Sequence, residues 1–367
     1  DGFHLWSDTF DRKAEDVFAI QTEVAQRVQE VLKVKLLAGG SPDATLAGTE
    51  NLEAYDLYLR GREFWNKRTG ANIERAVGLF QQATEKDPKF ALAYAGLAAC
   101  YAILPNYAYV RGRDAASKAR AAAFHALQLE SNLAEAHAVL GFVKSRFDWD
   151  RGGAEKAYQK AISLNPNYAT ARHWYGALMG WEGRFEESMA ELRQAQALDP
   201  LSAVIRVVSG QMYYFQRKFE QSLTEIGKAL EIAPDFSAAH HLRGKVYLAQ
   251  RKAPEAIRDL EKFRALVGTA PGLGDLGHVY AIVGRTDDAR QVLRQLSDAL
   301  EQGTSVSFDI AFVHLGLGDK EQTFSWLERV AEAREQDLRT LKIDPLWADL
   351  IKDPRYAALL KKFDLDK

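Results

Sequence analysis

Residues 272–277, Gly-Leu-Gly-Asp-Leu-Gly, match the pattern G-x-G-x-x-G, which holds phosphate groups in dinucleotide-binding folds. Such a loop must follow a β-strand and open a helix, so that backbone N–H groups and the helix dipole meet the pyrophosphate. The preceding segment, 258–270, instead has apolar residues at helical spacing, namely Leu260, Phe263, Leu266 and Val267. Because no strand is available, we expect neither a nucleotide nor another cofactor at these glycines.

Two patterns could in principle bind a metal ion. Asp148, Asp150 and Gly152 alternate as at the start of an EF-hand, but the twelfth position, which requires glutamate, is Gln159. Aspartates at this point are more typical of the cap of a following helix. The 8 histidines show no H-x-x-x-H spacing and the chain has 1 cysteine, so we expect no metal site.

Signatures of catalysis are also missing from the sequence. It contains no G-x-S-x-G, H-R-D, D-F-G, P-loop or C-x-x-C motif. The single cysteine, Cys100, lies in an apolar segment and is most simply a small buried residue. A catalytic site assembled from residues far apart in the sequence stays an alternative, but no particular residue indicates one. We therefore predict a protein that is not an enzyme.

The composition argues against two further classes of protein, those that bind nucleic acid and those that span a membrane. Lys and Arg number 48 against 50 Asp and Glu, and the net charge of −2 provides no field to attract nucleic acid. The apolar stretches fall short of the roughly 20 residues needed to cross a bilayer. One cysteine cannot form an internal disulfide, which favours a cytoplasmic location. We expect a folded chain that binds neither nucleic acid nor membrane.

The elements that would position any site follow a regular period. Prolines that end helical segments stand at 166, 200 and 234, each 34 positions after the last. The cleanest copy, 169–200, has Tyr175-Gly176 where two helices would cross and Pro200 at its end. A small residue recurs in phase at the crossing position. These residues are Gly61, Ala98, Gly141, Gly176, Gly210, Gly244, Gly277 and Ala311.

This pattern resembles the tetratricopeptide repeat, a pair of antiparallel helices of 34 residues. The resemblance covers most of the chain and implies an all-α, right-handed superhelix of about eight helix pairs. Residues 66–74 and 103–117 contain extra positions, which we expect to lengthen the turns within the first and second pairs. We predict three regions: an N-terminal extension (1–50), the array (51–334) and a C-terminal cap (335–367).

The extension is expected to hold one long amphipathic helix over 15–37 and a linker over 38–50. Its start, "HLWSDTFDR", and the closing "DPLWADLIKDPRYAALL" resemble the C-terminal halves of bacterial signalling proteins. In that family the array follows a winged-helix, class III cyclase or Ser/Thr kinase domain. Since residue 1 is Asp, we expect the chain to be part of a longer protein that carried such a domain upstream.

The tetratricopeptide resemblance also implies a binding groove. In that family the first helix of each pair lines the concave surface, and certain positions face a bound peptide. Carried over by register, these positions form an aromatic surface with a few cations. They are Tyr55, Tyr58, Arg62, Trp65, Phe142, Arg146, His173, Trp181, Tyr214, Phe215, His241 and Lys245, with Glu135 beside them.

We therefore predict a non-catalytic scaffold or regulatory module that binds a protein or peptide. Some of these aromatics could instead pack against neighbouring turns or the N-terminal helix, and self-association into a homo-oligomer is left open. An alternative is that the array senses a small molecule and controls an attached effector. The sequence identifies neither the partner nor the upstream domain.

Overall fold

The computed structural model describes residues 48–107, 110, 112–268, 272–334, 338–363 and 365. The helix predicted over 15–37 and all but the last three residues of the linker lie outside these residues. Throughout the described ranges the regular structure is helical and no β-strand occurs, which confirms the all-α prediction. None of the helices in these ranges has the length and apolar character needed to cross a membrane.

The described residues form eight consecutive pairs of antiparallel helices that stack into the predicted solenoid. We call the first helix of each pair inner and the second outer. The pairs are α1 (Leu52–Asn66) and α2 (Gly70–Lys86), α3 (Ala91–Ile103) and α4 (Gly112–Leu129), α5 (Ala134–Val143) and α6 (Arg151–Leu164), α7 (Ala169–Trp181) and α8 (Phe185–Leu198), α9 (Ala203–Phe215) and α10 (Phe219–Ile232), α11 (Ser237–Ala249) and α12 (Ala253–Val267), α13 (Leu273–Ile282) and α14 (Thr286–Glu301), and α15 (Ser307–Gly316) and α16 (Lys320–Ala333).

The period arises where the outer helices end. The residue before a proline is driven out of the helical region into extended backbone, because the proline ring would otherwise clash with it. At each of these points the capping residue has φ between −136° and −140°. These residues are Asp87, Asn165, Asp199 and Ala233, each followed by a proline.

The turns within pairs share one backbone conformation. Three residues separate the two helices in most pairs, and the middle one has a positive φ of 53° to 81°. Glycine adopts this region freely, whereas arginine does so only when its surroundings fix it. The middle residues are Arg68, Gly183, Arg217, Arg251, Gly284 and Gly318.

The first turn corrects one prediction. We expected the extra residues of 66–74 to lengthen this turn, but it has the ordinary three residues, with Arg68 in the middle. The additional length lies in α2, which has 17 residues where α8 has 14. Thr69 begins α2 early because its side chain accepts a hydrogen bond from the backbone N–H of Asn72. The lengthened turn of the second pair is confirmed, since α4 begins only at Gly112.

The small residues at the helix crossings receive large side chains from the outer helices. Phe80, which is 1% exposed, lies against both Gly61 and Gly96, where an added Cβ would stand 2.8 and 2.6 Å from its ring. Tyr158 lies against Gly141 in the same way, with 2.8 Å to an added Cβ. The glycines that recur at the crossing positions therefore leave space for a large side chain from an outer helix, which agrees with their position in the repeat.

The G-x-G-x-x-G segment belongs to this packing. It follows the helix α12 rather than a strand, and α13 begins inside it. A Cβ on Gly277 would lie 2.5 Å from Val313, and one on Gly274 would lie 2.7 Å from the Cα of Asp309. These two glycines allow the inner helices α13 and α15 to approach closely. The repeat register indicated a helix contact for Gly277, whereas the contact of Gly274 was not predicted from the sequence.

After α16 the chain turns back into the superhelix. Two short 3-10 segments, Leu338–Lys342 and Pro345–Trp347, precede the final helix α17 (Pro354–Lys362). Trp347 is 1% exposed, and its ring lies 5.2 Å from Phe308 and 5.1 Å from Phe312 between centroids. On the opposite side, the Arg334 guanidinium lies 5.3 Å from the ring centroid of Trp149, in the turn of the third pair. The end of the chain thus reaches distant parts of the array.

Candidate functional site

The inner helices line a central cavity of about 460 Å³. Its walls come from α5, α7, α9, α11 and α15 and from the returning C-terminal segment. Seven of the twelve groove residues predicted from the sequence meet there. They are Phe142, Arg146, His173, Trp181, Phe215, His241 and Lys245. The geometry places these side chains around one space, while their role in binding stays a prediction.

One wall of the central cavity is aromatic and carries a cation. A π-helical turn, Lys144–Asp148, extends α5 and carries Arg146, whose guanidinium lies 4.9 Å from the ring centroid of Trp181. Phe142 packs against Trp174 with 4.9 Å between ring centroids. Aromatic rings beside an arginine offer large apolar area and a charge that stacks or binds carboxylates. This wall can therefore hold an apolar group next to an anionic one.

The opposite wall already holds a carboxylate, that of Asp344 in the C-terminal segment. Its Oδ1 accepts a hydrogen bond from the Tyr214 hydroxyl at 2.6 Å, and its Oδ2 accepts one from Lys245 Nζ at 2.8 Å. Burial opposes the charge of Lys245, but the carboxylates of Asp344 and Asp275 outweigh it and raise the pKa of Lys245. Burial and the charge of Asp344 raise the pKa of Tyr214 well above its usual value. The cavity thus stabilises a bound carboxylate with a cation and a hydroxyl.

A second space, which we call the side cleft, adjoins the central cavity. It has a volume of about 870 Å³ and lies between the first turn and the loops that precede α7, α9 and α11. Arg62 and Trp65 line it, and Arg68 and His173 line both spaces. The guanidinium of Arg68 lies 3.5 Å from the ring centroid of Trp65, and only 4% of Arg68 is exposed.

Three of the predicted groove residues are chiefly packed. Tyr58 is buried, with its ring 5.8 Å from Phe80 and 5.2 Å from Phe90 between centroids. Tyr55 stacks beside it with 6.3 Å between ring centroids, and Tyr214 is 1% exposed and donates its hydroxyl hydrogen to Asp344. Tyr58 nevertheless lines a small space of about 230 Å³ with Arg62, Trp65 and Glu135, and a role of these tyrosines in binding stays a prediction.

Among the residues that line the central cavity but were not predicted from the sequence are Arg68, Trp174, Phe308 and Asp344. Trp174 and Phe308 are inner-helix aromatics, and their positions in the repeat register could have revealed them. Arg68 and Asp344 carried no such signal, since a turn and a returning segment position them.

The histidines and acidic residues pair individually. His241 Nε2 lies 2.9 Å from Asp275, and His240 Nδ1 lies 3.2 Å from Asp259. Asp150 caps α6, because its side chain accepts a hydrogen bond from the N–H of Gly153 at 2.8 Å. Within the described ranges no three such residues cluster as metal ligands.

His173 makes the stability of the fold sensitive to acid. Burial, and secondly the charge of Arg68, lowers its pKa from the usual 6.5 to about 3. As the pH falls below 6.5, the imidazole of His173 becomes protonated in the unfolded chain but stays neutral in the folded chain. The free energy of unfolding therefore decreases until the pH reaches about 3. Between pH 7 and pH 5 we expect the loss to reach about 2 kcal/mol.

Urea unfolding at both pH values measures this loss. His173→Gln should remove about 2 kcal/mol of the pH dependence, and His125→Gln, on the exposed surface of α4, is the matched surface variant for comparison. An unaltered pH dependence in His173→Gln would refute the assignment.

Comparisons with known proteins relate parts of the chain to a putative adenylate cyclase and to a transcriptional regulator of bacteria. Over 96 residues it is 36% identical to putative adenylate cyclase 3 of Rhizobium meliloti (strain 1021), a match that spans 26% of this chain and 16% of that protein. Over 144 residues it is 24% identical to the transcriptional regulator HilA of Salmonella typhimurium, spanning 39% of this chain and 26% of the regulator. The matched region therefore covers about a quarter or less of these relatives' length. No family model matches the chain.

Solved structures match the architecture more widely. The Cut9–Hcn1 hetero-tetramer of the APC/C is similar over 96% of this chain and 63% of that chain, with a TM-score of 0.60 and 14% identity. TTC0263, a thermophilic TPR protein of Thermus thermophilus, is similar over 53% of this chain and 99% of its own, with a TM-score of 0.43 and 19% identity. Eight stacked helix pairs with prolines 34 residues apart give this chain the tetratricopeptide-repeat fold.

Proposed function

We propose that the chain is a non-catalytic protein-binding module that holds a short segment of a partner in the central cavity. The observation that carries the proposal is the chain's own C-terminal segment, which binds there as a peptide would. It sets an acidic side chain between Tyr214 and Lys245 and an aromatic one, Trp347, against Phe308. The opposite wall offers the same kinds of group, in Arg146 and Trp181.

The partner is expected to be a protein segment rather than nucleic acid, because the net charge of −2 favours no polyanion. We also propose the division into an extension (1–50), an array (51–334) and a cap (335–367), with the array regulating an attached effector domain. The partial relatives, a putative adenylate cyclase and a transcriptional regulator, are compatible with such a role.

Photo-crosslinking tests where a partner binds. With p-benzoylphenylalanine in place of Trp181 or Phe215 in the full chain, we expect crosslinks to one defined partner segment. The same group in place of Phe124, which is 52% exposed on α4, should give none. Trp181→Ala/Phe215→Ala should weaken the partner's binding at least about tenfold, since buried aromatics dominate such interfaces. Equal recovery of the partner with this variant and with Phe124→Ala would disprove the assignment.

A second candidate function is small-molecule sensing. The central cavity, at about 460 Å³, falls in the range of pockets that take drug-sized ligands. A metabolite at 100 times its dissociation constant would stabilise the fold by roughly 2.7 kcal/mol. Thermal denaturation in the presence of a metabolite library therefore separates the two functions. A stabilisation of this size that Trp181→Ala abolishes would favour the sensor.

A further inference from the structure

The first of two groups in the side cleft that could receive an anion is the guanidinium of Arg68. It is 4% exposed, and none of the carboxylates in the described part of the chain forms an ion pair with it. Its contacts are the ring of Trp65 and a side-chain hydrogen bond with Tyr107. A buried cation without a counter-ion is costly, and arginine is the side chain best suited to bind a carboxylate through two parallel hydrogen bonds.

The second group is the indole N–H of Trp65. This nitrogen is buried and has no hydrogen-bond partner among the described residues. A buried donor without an acceptor destabilises the fold by about 1–3 kcal/mol, so such groups are rare unless a ligand or water completes them. Trp65 and Arg68 both line the side cleft, and one anion there could accept from both once the indole turns its buried N–H towards the cleft.

The remaining charges of the cleft leave this position electropositive. Lys67 pairs with Glu63 at 2.7 Å, and Asp235 pairs with Lys262 at 2.8 Å. Asp199 lies exposed at the rim. His173, which lines the cleft beside Arg68, is neutral because burial lowers its pKa to about 3. Arg62 also lines the cleft, but its guanidinium forms a hydrogen bond with Tyr58 and feels the charge of the Glu135 carboxylate.

We propose that Arg68 and Trp65 bind a carboxylate of the partner segment, an inference that rests on the proposed function. Arg68 also lines the central cavity, where Asp344 shows how this fold receives an acidic side chain from a peptide. The side cleft, at about 870 Å³, has room for several residues and far exceeds the size of a free anion. An acidic residue followed by apolar ones, as in residues 344–347, is the chemistry that fits.

The indole N–H signal of Trp65 in the ¹⁵N-labelled full chain reports on the site directly, and Trp65→Phe assigns it. The probes are the peptide Ac-Asp-Pro-Leu-Trp-NH₂, which copies residues 344–347, its neutral match Ac-Asn-Pro-Leu-Trp-NH₂, and inorganic phosphate. We expect a saturable downfield shift with the acidic peptide and binding weaker by at least about tenfold with the neutral one. No saturable shift with the acidic peptide, or equal affinity for the two peptides, would overturn the proposal.

Two variants separate binding from folding. Arg68→Gln should weaken binding of the acidic peptide at least about tenfold, and Trp65→Phe, which keeps a ring beneath Arg68, about fivefold by calorimetry. If Arg68→Gln fails to fold, Trp65→Phe carries the test, and unchanged affinity in it contradicts the proposal. If phosphate binds and the acidic peptide does not, the site takes a free anion rather than a carboxylate of a partner, and the proposal is overturned. Crosslinking from Trp181 does not depend on Arg68, so a failure here leaves the proposed function standing.

Discussion

Asp344→Ala is expected to release the C-terminal segment from the central cavity. The free energy needed to detach this segment locally should fall by about 3 kcal/mol. The carboxylate accepts hydrogen bonds from Tyr214 and Lys245, and also from the backbone N–H of Leu346. The side chain of Lys245 is 21% exposed, so its charge would remain largely buried without its partner. Native-state hydrogen exchange over 338–363 should become about a hundredfold faster.

A double-mutant cycle with Lys245→Met isolates the charge pair. Removing both charges should restore much of the lost stability, because Asp344→Ala leaves the buried Lys245 with no hydrogen-bonded carboxylate and only the charge of Asp275 to offset its own. Tyr214→Phe removes one hydrogen bond and should cost about 1 kcal/mol. If Asp344→Ala and the double variant exchanged at the same rate, the ion pair would contribute nothing to holding the segment.

Phe80→Ala is expected to have the largest effect on the N-terminal pairs, lowering the free energy of unfolding by about 3–5 kcal/mol. The ring is buried between Gly61 and Gly96 and contacts the ring of Tyr58, with 5.8 Å between centroids. Neither glycine has a side chain that could move into the vacated volume. A cavity of this kind collapses poorly, so the loss should stand near the upper end of the range.

Urea denaturation measures this change against a surface control. Phe124→Ala removes the same ring from an exposed position and should change stability by less than about 0.5 kcal/mol. Phe80→Leu keeps most of the volume and should lie between the two. A Phe80→Ala variant as stable as Phe124→Ala would show that the two glycines do not depend on this ring.

The repeated parts of the fold could be predicted from the sequence because local chemistry determines them. A proline ends four of the eight outer helices, so the spacing from Pro166 to Pro200 to Pro234 reports the pair length directly. A glycine at a crossing, such as Gly176, is likewise visible by its phase. The prediction of a lengthened turn at residues 66–74 was wrong because three extra residues can either enter a turn or extend a helix. Here the N-cap of Thr69 starts the helix early, so the extra residues extend it.

The candidate site was only partly predictable, for a physical reason. Inner-helix positions such as Phe142 and Trp181 follow the register and converge on one cavity. Asp344 reaches Lys245 across 99 positions and Tyr214 across 130, and no periodic pattern records a contact of that range. Arg68 occupies a turn position that glycine fills in other pairs, and its burial depends on the fold around it.

The returning C-terminus changes how the solenoid would respond to force. A coil whose turns touch only their neighbours stretches like a spring, each unit yielding in small steps. Here Arg334 touches Trp149 and Asp344 binds Lys245, so the last residues form a strut across the inside of the coil. A force that pulls on the two ends of the coil would first act on this C-terminal segment. The coil would lengthen only after the segment had detached. A partner that displaced the segment would thereby convert a rigid coil into a compliant one.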